Sequence, residues 1–230
     1  MTKRSNRAPL PTVILHNEVS LDGRMDWVEP DLSRFYSLAG RWHEDATLVG
    51  SETLLSGMPE LAETARSPGA APTAESGALL AVVDGRGRLP GVGLARRQPY
   101  WRDVVELCCE STPAAHLEEL VRTGVDHVVS GAEHVDLRDA LEWLAAEHRV
   151  RKIRVDAGGR LNGALLRAGL VDEVTVLVEP RLVGGASVDR SLFVAEDLDS
   201  ADDVVFLELA DVERFDDGVV ALSYVVRPSA

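Results

Sequence analysis

Residues 152–179 read KIRVDAGGRLNGALLRAGLVDEVTVLVE, and this stretch decides the fold. KIRVD is a short strand with β-branched residues. Ala157-Gly158-Gly159 breaks it. Leu161, Leu165 and the residues between them have helical spacing, which stops at Gly169. EVTVLVE (173–179) is a strand again, strongly β-branched. A strand, a glycine turn, a helix and a buried strand in some thirty residues form a parallel βαβ unit, because parallel neighbours need a crossover and helices on the faces.

The same alternation extends in both directions. TVILHNEV (12–19) reads as a buried strand followed by the loop SLDGR (20–24). Residues 31–45 place Leu32, Phe35, Leu38, Ala39 and Trp42 on one helical face behind Asp31, a suitable cap. Thr47–Val49, ALLAVVD (78–84), VVELCCE (104–110) and DHVVS (126–130) read as further strands. Thr112-Pro113 opens a helix that ends at Gly124, and Asp136 opens another bearing Leu137, Leu141 and Leu144. The runs 204–215 and 219–226 flank Asp216-Asp217-Gly218, the signal of a tight hairpin. The expectation is an α/β three-layer sandwich, its sheet mostly parallel with a C-terminal antiparallel hairpin. Residues 11–228 read as one domain, 1–10 as a flexible tail and 59–77 largely as a loop.

Composition narrows the function classes. The chain has 230 residues, 38 acids against 24 bases and a net charge of −14, which argues against nucleic acid as a partner. A small phosphorylated ligand stays open, since a few arginines can hold a phosphate locally. No apolar run is long enough to span a bilayer, and the basic residues 1–11 lack the apolar core of a signal peptide, so no membrane partner and a cytoplasmic setting are expected. The two cysteines, Cys108 and Cys109, are adjacent and read as inert core thiols.

Chemistry in such a sheet belongs to loops beyond the carboxyl ends of the strands. Three stand out: Ser20 to Arg24, Val49 to Thr53, and Asp156 to Leu161. The last is the best phosphate cradle, because glycines allow close backbone approach and a helix start favours anions. Each could equally be a structural turn. The G-x-G-x-x-G fingerprint is absent, with Pro90 where the third glycine would fall, and so is a G-x-S-x-G elbow. The histidines form neither H-x-H nor HExxH, so no metal site is expected. His43, His116 and His148 read as residues of solvated helix faces, and His16 reads either as a packed strand residue or as a site residue.

In their order, SLDGR, LVGSETLL, VVDGRGRLPG and KIRVDAGGRLNGALLRAGLVDEVTVLVEPRLVGG resemble the pyrimidine reductases of riboflavin biosynthesis, nearly the whole length of the chain. That family includes the C-terminal domain of a bifunctional deaminase/reductase and free-standing enzymes, and the length here fits the free-standing form. The resemblance implies a dihydrofolate-reductase-like fold, NADPH as cofactor, a homodimer, and reduction of a ribosylaminopyrimidine 5′-phosphate to its ribitylamino form. It implies catalytic roles for Asp156, Asp22 and His16. It puts the cofactor against Gly50, Ser51, Thr53, Leu54, Ala157, Gly158, Gly159, Arg160 and Leu161, and the substrate against Asn17, Ser20, Arg24 and Arg41. From the residues alone, Asp22 could also be a turn former and Arg41 a surface residue. The sequence departs from the family at Asp156-Ala157, at Met25 to Pro30 and at Gly57 to Ala62, where the family's substrate-side residues are replaced. The departures keep two alternatives in view: a same-fold reductase of dihydrofolate, a pterin or another heterocycle, and a non-catalytic nucleotide-binding homologue.

Overall fold

The computed structural model describes residues 9–63, 76–186 and 190–227. The expected tail lies outside the described residues except for its last two positions, as do residues 64–75 of the expected 59–77 loop. One nine-stranded sheet organises the rest, with strand order β5-β4-β3-β2-β6-β1-β7-β9-β8. The strands are β1 (Thr12–Ser20), β2 (Ala46–Gly50), β3 (Ala78–Val83), β4 (Trp101–Cys108), β5 (Asp126–Val129), β6 (Lys152–Val155), β7 (Glu173–Glu179), β8 (Leu207–Arg214) and β9 (Val220–Val226). β1 to β7 pair in parallel, and the hairpin β8–β9 adds the antiparallel edge alongside β7.

The helices are α1 (Leu32–Ala39), α2 (Ser51–Gly57), α3 (Ala114–Thr123), α4 (Leu137–Glu147) and α5 (Gly159–Arg167). Strand alternation sends side chains to two layers. Val13, Leu15, Ile153, Val155, Leu79 and Ala81 pack against α4 and α5 through Leu141, Leu144 and Leu165. Leu80, Val82 and Val104 pack against Leu54 of α2 and Leu120 of α3, while Leu38 of α1 covers Leu177 and Ala221. Both faces of the parallel part are thereby closed off from water, so its strands read as near-continuous apolar runs.

Three expectations are corrected. The helix expected over 31–45 stops at Ala39: the Gly40 amide closes it on Tyr36, and His43 takes a left-handed φ of 48°. Thr112 does not cap α3; its hydroxyl donates to the Gly85 carbonyl at 3.0 Å and accepts from the Cys109 amide, tying the β3 and β4 loops together. His116 lies on no solvated face. It is 5 % exposed and bonded through Nε2 to Glu106 of β4. Both cysteines are fully buried, and burial followed by the Glu106 charge pushes the Cys108 thiol up.

Candidate active site

Loops at the carboxyl ends of β2, β3, β5 and β6 line an open cleft of about 740 Å³, and three of them build its walls. The first wall is the β6–α5 turn. The Asp156 amide donates to Leu48 of β2 and extends the pairing, and Gly158 then caps α5 with no side-chain hydrogen bond. The first amides of α5 therefore meet the cleft unblocked by a cap, with the positive end of the helix dipole behind them. The glycines of this segment differ in purpose. A Cβ on Gly159 would run into the Ser191 carbonyl, and one on Gly163 into the Val194 carbonyl, so these positions are fixed by backbone packing. A Cβ on Gly158 would meet only Thr53 Oγ1, at 4.0 Å. Its backbone, φ −74° and ψ 167°, suits any residue.

The second wall is the β2–α2 turn, where Gly50 precedes Ser51 and Thr53. The third is the turn after β3, which the sequence marked only as a strand break. There Asp84 Oδ2 accepts the Arg88 amide at 2.5 Å and the Leu89 amide at 2.9 Å. Gly87, at φ +62°, lies so near His116 that a Cβ would sit 2.8 Å from its Cγ. Arg88 Nη2 in turn donates to Ser51 Oγ at 2.8 Å, joining the second and third walls. The readable signal was an aspartate followed by glycines, which favours a side-chain-to-backbone turn. The partner hydroxyl 37 residues away had no local signature.

Seven of the nine expected cofactor contacts line this cleft: Gly50, Ser51, Thr53, Gly158, Gly159, Arg160 and Leu161. Leu54 and Ala157 do not. Leu54 is 7 % exposed in the core beneath α2, and Ala157 is 1 % exposed, giving its carbonyl to Asn17 and Asn162. Period-2 and period-3.6 patterns carry these neighbours of lining residues inward.

The expected catalytic trio is not brought together. His16 is fully buried, with Nε2 on the Phe35 carbonyl at 3.1 Å and its ring against Phe35 and Trp42. Burial lowers its pKa to about 4, so it is a neutral core histidine, and the catalytic expectation for it is corrected. Asp22 is exposed and accepts from Ser20 Oγ and from the Val183 and Gly184 amides, and these bonds hold its pKa near 2. Asp156 is half-buried at the end of β6, on the face opposite α5, with Oδ2 3.2 Å from Arg154 Nη1.

Among the expected substrate contacts, Asn17 and Ser20 are corrected to internal ties. Asn17 is 3 % exposed and bonded to Ala157 and Asn162, and Ser20 is fully buried between Asp22 and the Arg24 amide. Arg24 is 7 % exposed and pairs with Asp26 at 3.4 Å. Arg41 points to the hairpin, where Glu213 takes it in an exposed bidentate pair at 2.8 and 3.3 Å. A further group at the ends of β1 and β7 has no local signature in the sequence. Arg34 bonds Glu18, Glu179 and Asp217, and burial together with Glu179 lifts Glu18 to about 7.

The RibD C-terminal domain family model matches residues 11–221. The 2,5-diamino-6-ribosylamino-4(3H)-pyrimidinone 5′-phosphate reductase of Methanothermobacter thermautotrophicus is 33 % identical over 86 % of this chain and 91 % of its own length. Its namesake from Archaeoglobus fulgidus is 31 % identical over 76 % of this chain and 83 % of its own. The riboflavin biosynthesis protein RibD of Chlamydia muridarum is 29 % identical over 85 % of this chain but 53 % of its own length, so the chain spans about half of that longer relative. In fold, Acinetobacter baumannii RibD superposes with a TM-score of 0.70 at 23 % identity, covering 95 % of this chain and 58 % of that one. Saccharomyces Rib7 superposes at 0.62 and 18 % identity, covering 99 % and 93 %. With its parallel sheet, antiparallel terminal hairpin and glycine-walled cleft, the chain belongs to the RibD C-terminal domain family.

Proposed function

We propose that the protein is an NADPH-dependent reductase that converts a ribosylaminopyrimidine 5′-phosphate to the ribitylamino compound in riboflavin biosynthesis. The reading rests on the cleft between β2, β3 and β6, and above all on Gly158, whose missing side chain leaves space on the ligand's side rather than the protein's. Residues fit a dinucleotide there. The unblocked amides at Gly158 and Gly159 take a diphosphate, the positive end of α5 offsets its charge, and the Ser51 and Thr53 hydroxyls add donors. When bound, the nicotinamide supplies the hydride.

The chain's own residues position the partner. Asp156, fixed by Arg154, offers a carboxyl group at the end of β6 that can hold an N–H of the substrate and orient the carbon to be reduced. Asp22 acts one step away: by gripping the Val183 and Gly184 amides it fixes the loop after β7 against the loop after β1. The sheet ends in β8, whose Leu207, Leu209 and Val212 are exposed, and this edge suits pairing with a second copy in a homodimer. No described helix is long and apolar enough to cross a membrane, and two buried free thiols fit a reducing cytoplasm.

The test follows NADPH absorbance with the ribosylaminopyrimidine phosphate, alongside dihydrofolate and a pterin. Oxidation confined to the ribosyl phosphate is expected. No oxidation at millimolar ribosyl phosphate, with turnover of another heterocycle, overturns the proposed substrate.

A further inference from the structure

Behind the third wall of the cleft lies a group of buried side chains that the proposed reaction does not use. Glu106 and Cys108 are two apart on β4, so both project from one face of the sheet, the face that α3 covers. His116 reaches them from the first turn of α3. One donor atom from each, a carboxylate oxygen, a thiol sulfur and an imidazole nitrogen, lies within 4.8 Å of the other two. All three residues are buried, Glu106 and Cys108 completely.

A plain ion pair between Glu106 and His116 accounts for only part of this group. Glu106 Oε1 is bonded to His116 Nε2 and lies 3.6 Å from Cys108 Sγ. Glu106 Oε2 is buried with no hydrogen-bond partner among the described residues. Asp84 follows β3, whose Val82 lies beside Glu106 in register, and its charge is close enough to act on Glu106, Cys108 and His116. Its Oδ1 is likewise buried without a hydrogen bond, 3.9 Å from Arg88 Nε. The core here gathers two carboxyl groups and a thiol around one imidazole, an arrangement that costs stability unless a cation compensates it.

The donor set selects the class of cation. Ca²⁺ and Mg²⁺ take oxygen ligands, so a thiol and an imidazole do not suit them. Zn²⁺ binds carboxylate oxygen, imidazole nitrogen and thiolate sulfur at about 2.0–2.3 Å, which at a tetrahedral angle sets neighbouring donors about 3.3–3.5 Å apart. The Cys108–Glu106 separation of 3.6 Å already has this size. One carboxylate and one thiolate cancel the charge of the dication, so the filled trio is neutral and suits a core.

We infer that Glu106, Cys108 and His116 form a binding site for Zn²⁺ or a similar transition-metal dication, which cross-links α3 to β4. The inference goes beyond the reductase reading and does not depend on it. The ion takes the place of the proton held between Glu106 and His116 and displaces the thiol proton of Cys108; the metal-free chain keeps both. A tetrahedral ion accepts a fourth donor, and Asp84 Oδ1 supplies it directly or through one water. Gly87 rests against the His116 ring, so fixing His116 also stiffens the turn that forms the third wall of the cleft.

The experiment uses the full chain without an affinity tag, expressed with added Zn²⁺ or Co²⁺ and dialysed against metal-free buffer containing a non-chelating reductant. Because the site is closed, the ion enters as the chain folds. Elemental analysis is expected to find about one ion per chain. The Co²⁺ form is expected to show a near-ultraviolet thiolate-to-metal band and the visible bands of a tetrahedral ion, which a buried ion pair alone does not produce. Cys108→Ser should abolish the thiolate band. Glu106→Gln and His116→Gln should each lower the retained metal at least about 10-fold, whereas Cys109→Ser should keep both band and metal. At an ion concentration about 100-fold above Kd, the loaded protein should melt about 5–10 °C above protein refolded in chelator. Wild type that retains far less than one ion per chain, or that retains Co²⁺ without the thiolate band, overturns the inference, and these readings need no variant to fold. A band that survives Cys108→Ser and is lost in Cys109→Ser overturns it as well.

Discussion

Substituting Gly158 separates binding from folding. Its φ of −74° and ψ of 167° lie in extended backbone open to any residue, and the nearest atom to an added Cβ is Thr53 Oγ1 at 4.0 Å. Gly158→Ala therefore creates no clash. Reduced entropy of the unfolded chain favours the variant by roughly 0.4–1 kcal/mol. Alanine's poorer fit at a helix cap costs roughly 0.5–1 kcal/mol, so the two nearly cancel and stability should stay within about 1 kcal/mol of wild type. A ligand phosphate approaching the α5 amides would meet the new methyl group. Losing one charged amide contact at about 1.5–3 kcal/mol weakens the dissociation constant roughly 10- to 100-fold. Gly158→Val should lose more, because both γ-methyls occupy the same space. Gly159→Ala is the opposite case: its Cβ runs into the Ser191 carbonyl, so it should melt well below wild type. Thermal melts and NADPH calorimetry on the variants decide the matter. Gly158→Ala with wild-type melting and wild-type affinity would refute the placement of the cofactor at this glycine.

Three further outcomes follow from contacts elsewhere. Arg41→Ala removes an exposed pair with Glu213 and should change stability by less than about 1 kcal/mol and turnover not at all; a marked rise in KM for the phosphorylated substrate would show that the pair opens to bind it. Asp156→Asn should lower kcat at least about 10-fold while the melting temperature moves little, since the side chain is 29 % exposed and bonded to Arg154; equal loss of both would mark a structural aspartate. The buried Glu106–His116 pair holds protons that the unfolded chain releases: burial raises Glu106 from 4.5 to about 7, and Glu106 raises His116 from 6.5 against its own burial. Because the folded state then binds more protons, the pair's contribution to stability is full below pH 4.5 and is lost as pH rises through 7, at up to about 1.4 kcal/mol per pH unit and proton. His16, lowered to about 4, acts in the opposite sense between 4 and 6.5, and comparing Glu106→Gln with wild type cancels it. That difference in unfolding free energy should shift toward the variant as pH rises from 5 to 8; a difference flat with pH would mean the pair does not titrate as described.

The fold was legible because the chain states it locally many times. Each strand is bounded by a glycine, proline or acid, and the helix stops at Gly124 and Gly169 take the left-handed φ that such ends require. The cofactor-side loops were legible for the same reason, since a strand leading into glycines and a helix makes a site from backbone alone. The side chains fared worse. His16, Asn17 and Ser20 sit on a strand flanked by β6 and β7, where every residue from Val13 to Ser20 is buried and a polar residue must find an internal partner. Those partners, the Phe35 carbonyl, Asn162 and the Arg24 amide, come from other elements or from turn geometry that a sequence does not print. His116 was misplaced by the same blindness: its helical spacing is that of a surface residue, and only the arrival of Glu106 from β4 and Gly87 from the turn after β3 buries it.

The charge of −14 poses a question that the ion pairs answer. A protein with so many acids must still gather two anionic ligands. Most of its buried or well-placed arginines cannot help, because each has an acid of its own: Arg34 has Glu18, Glu179 and Asp217, Arg96 has Asp103, and Arg154 has Glu44 and Asp156. These pairs cross-link elements, joining α1 to β1, β7 and the hairpin turn. At the cleft the acids are handled differently. Asp84 gives Oδ2 to two backbone amides while its Oδ1 lies 3.9 Å from Arg88 Nε, and Glu52 and Glu133 are exposed enough for their fields to be screened by solvent. The positive side of the cleft is thus made of peptide N–H groups, which titrate at no physiological pH, and of arginines on the turn that Asp84 builds. Anion binding of this kind depends on where a few acids point rather than on net charge, so reversing Asp84 should be far more damaging than reversing any of the surface acids that give the protein its overall sign. Asp84→Asn keeps the turn's acceptor oxygen and should retain cofactor binding, whereas Asp84→Ala removes it, frees the Arg88 and Leu89 amides and should release the arginine from the cleft. If Asp84→Ala bound NADPH as tightly as Asp84→Asn, the arginine would not owe its position to the turn.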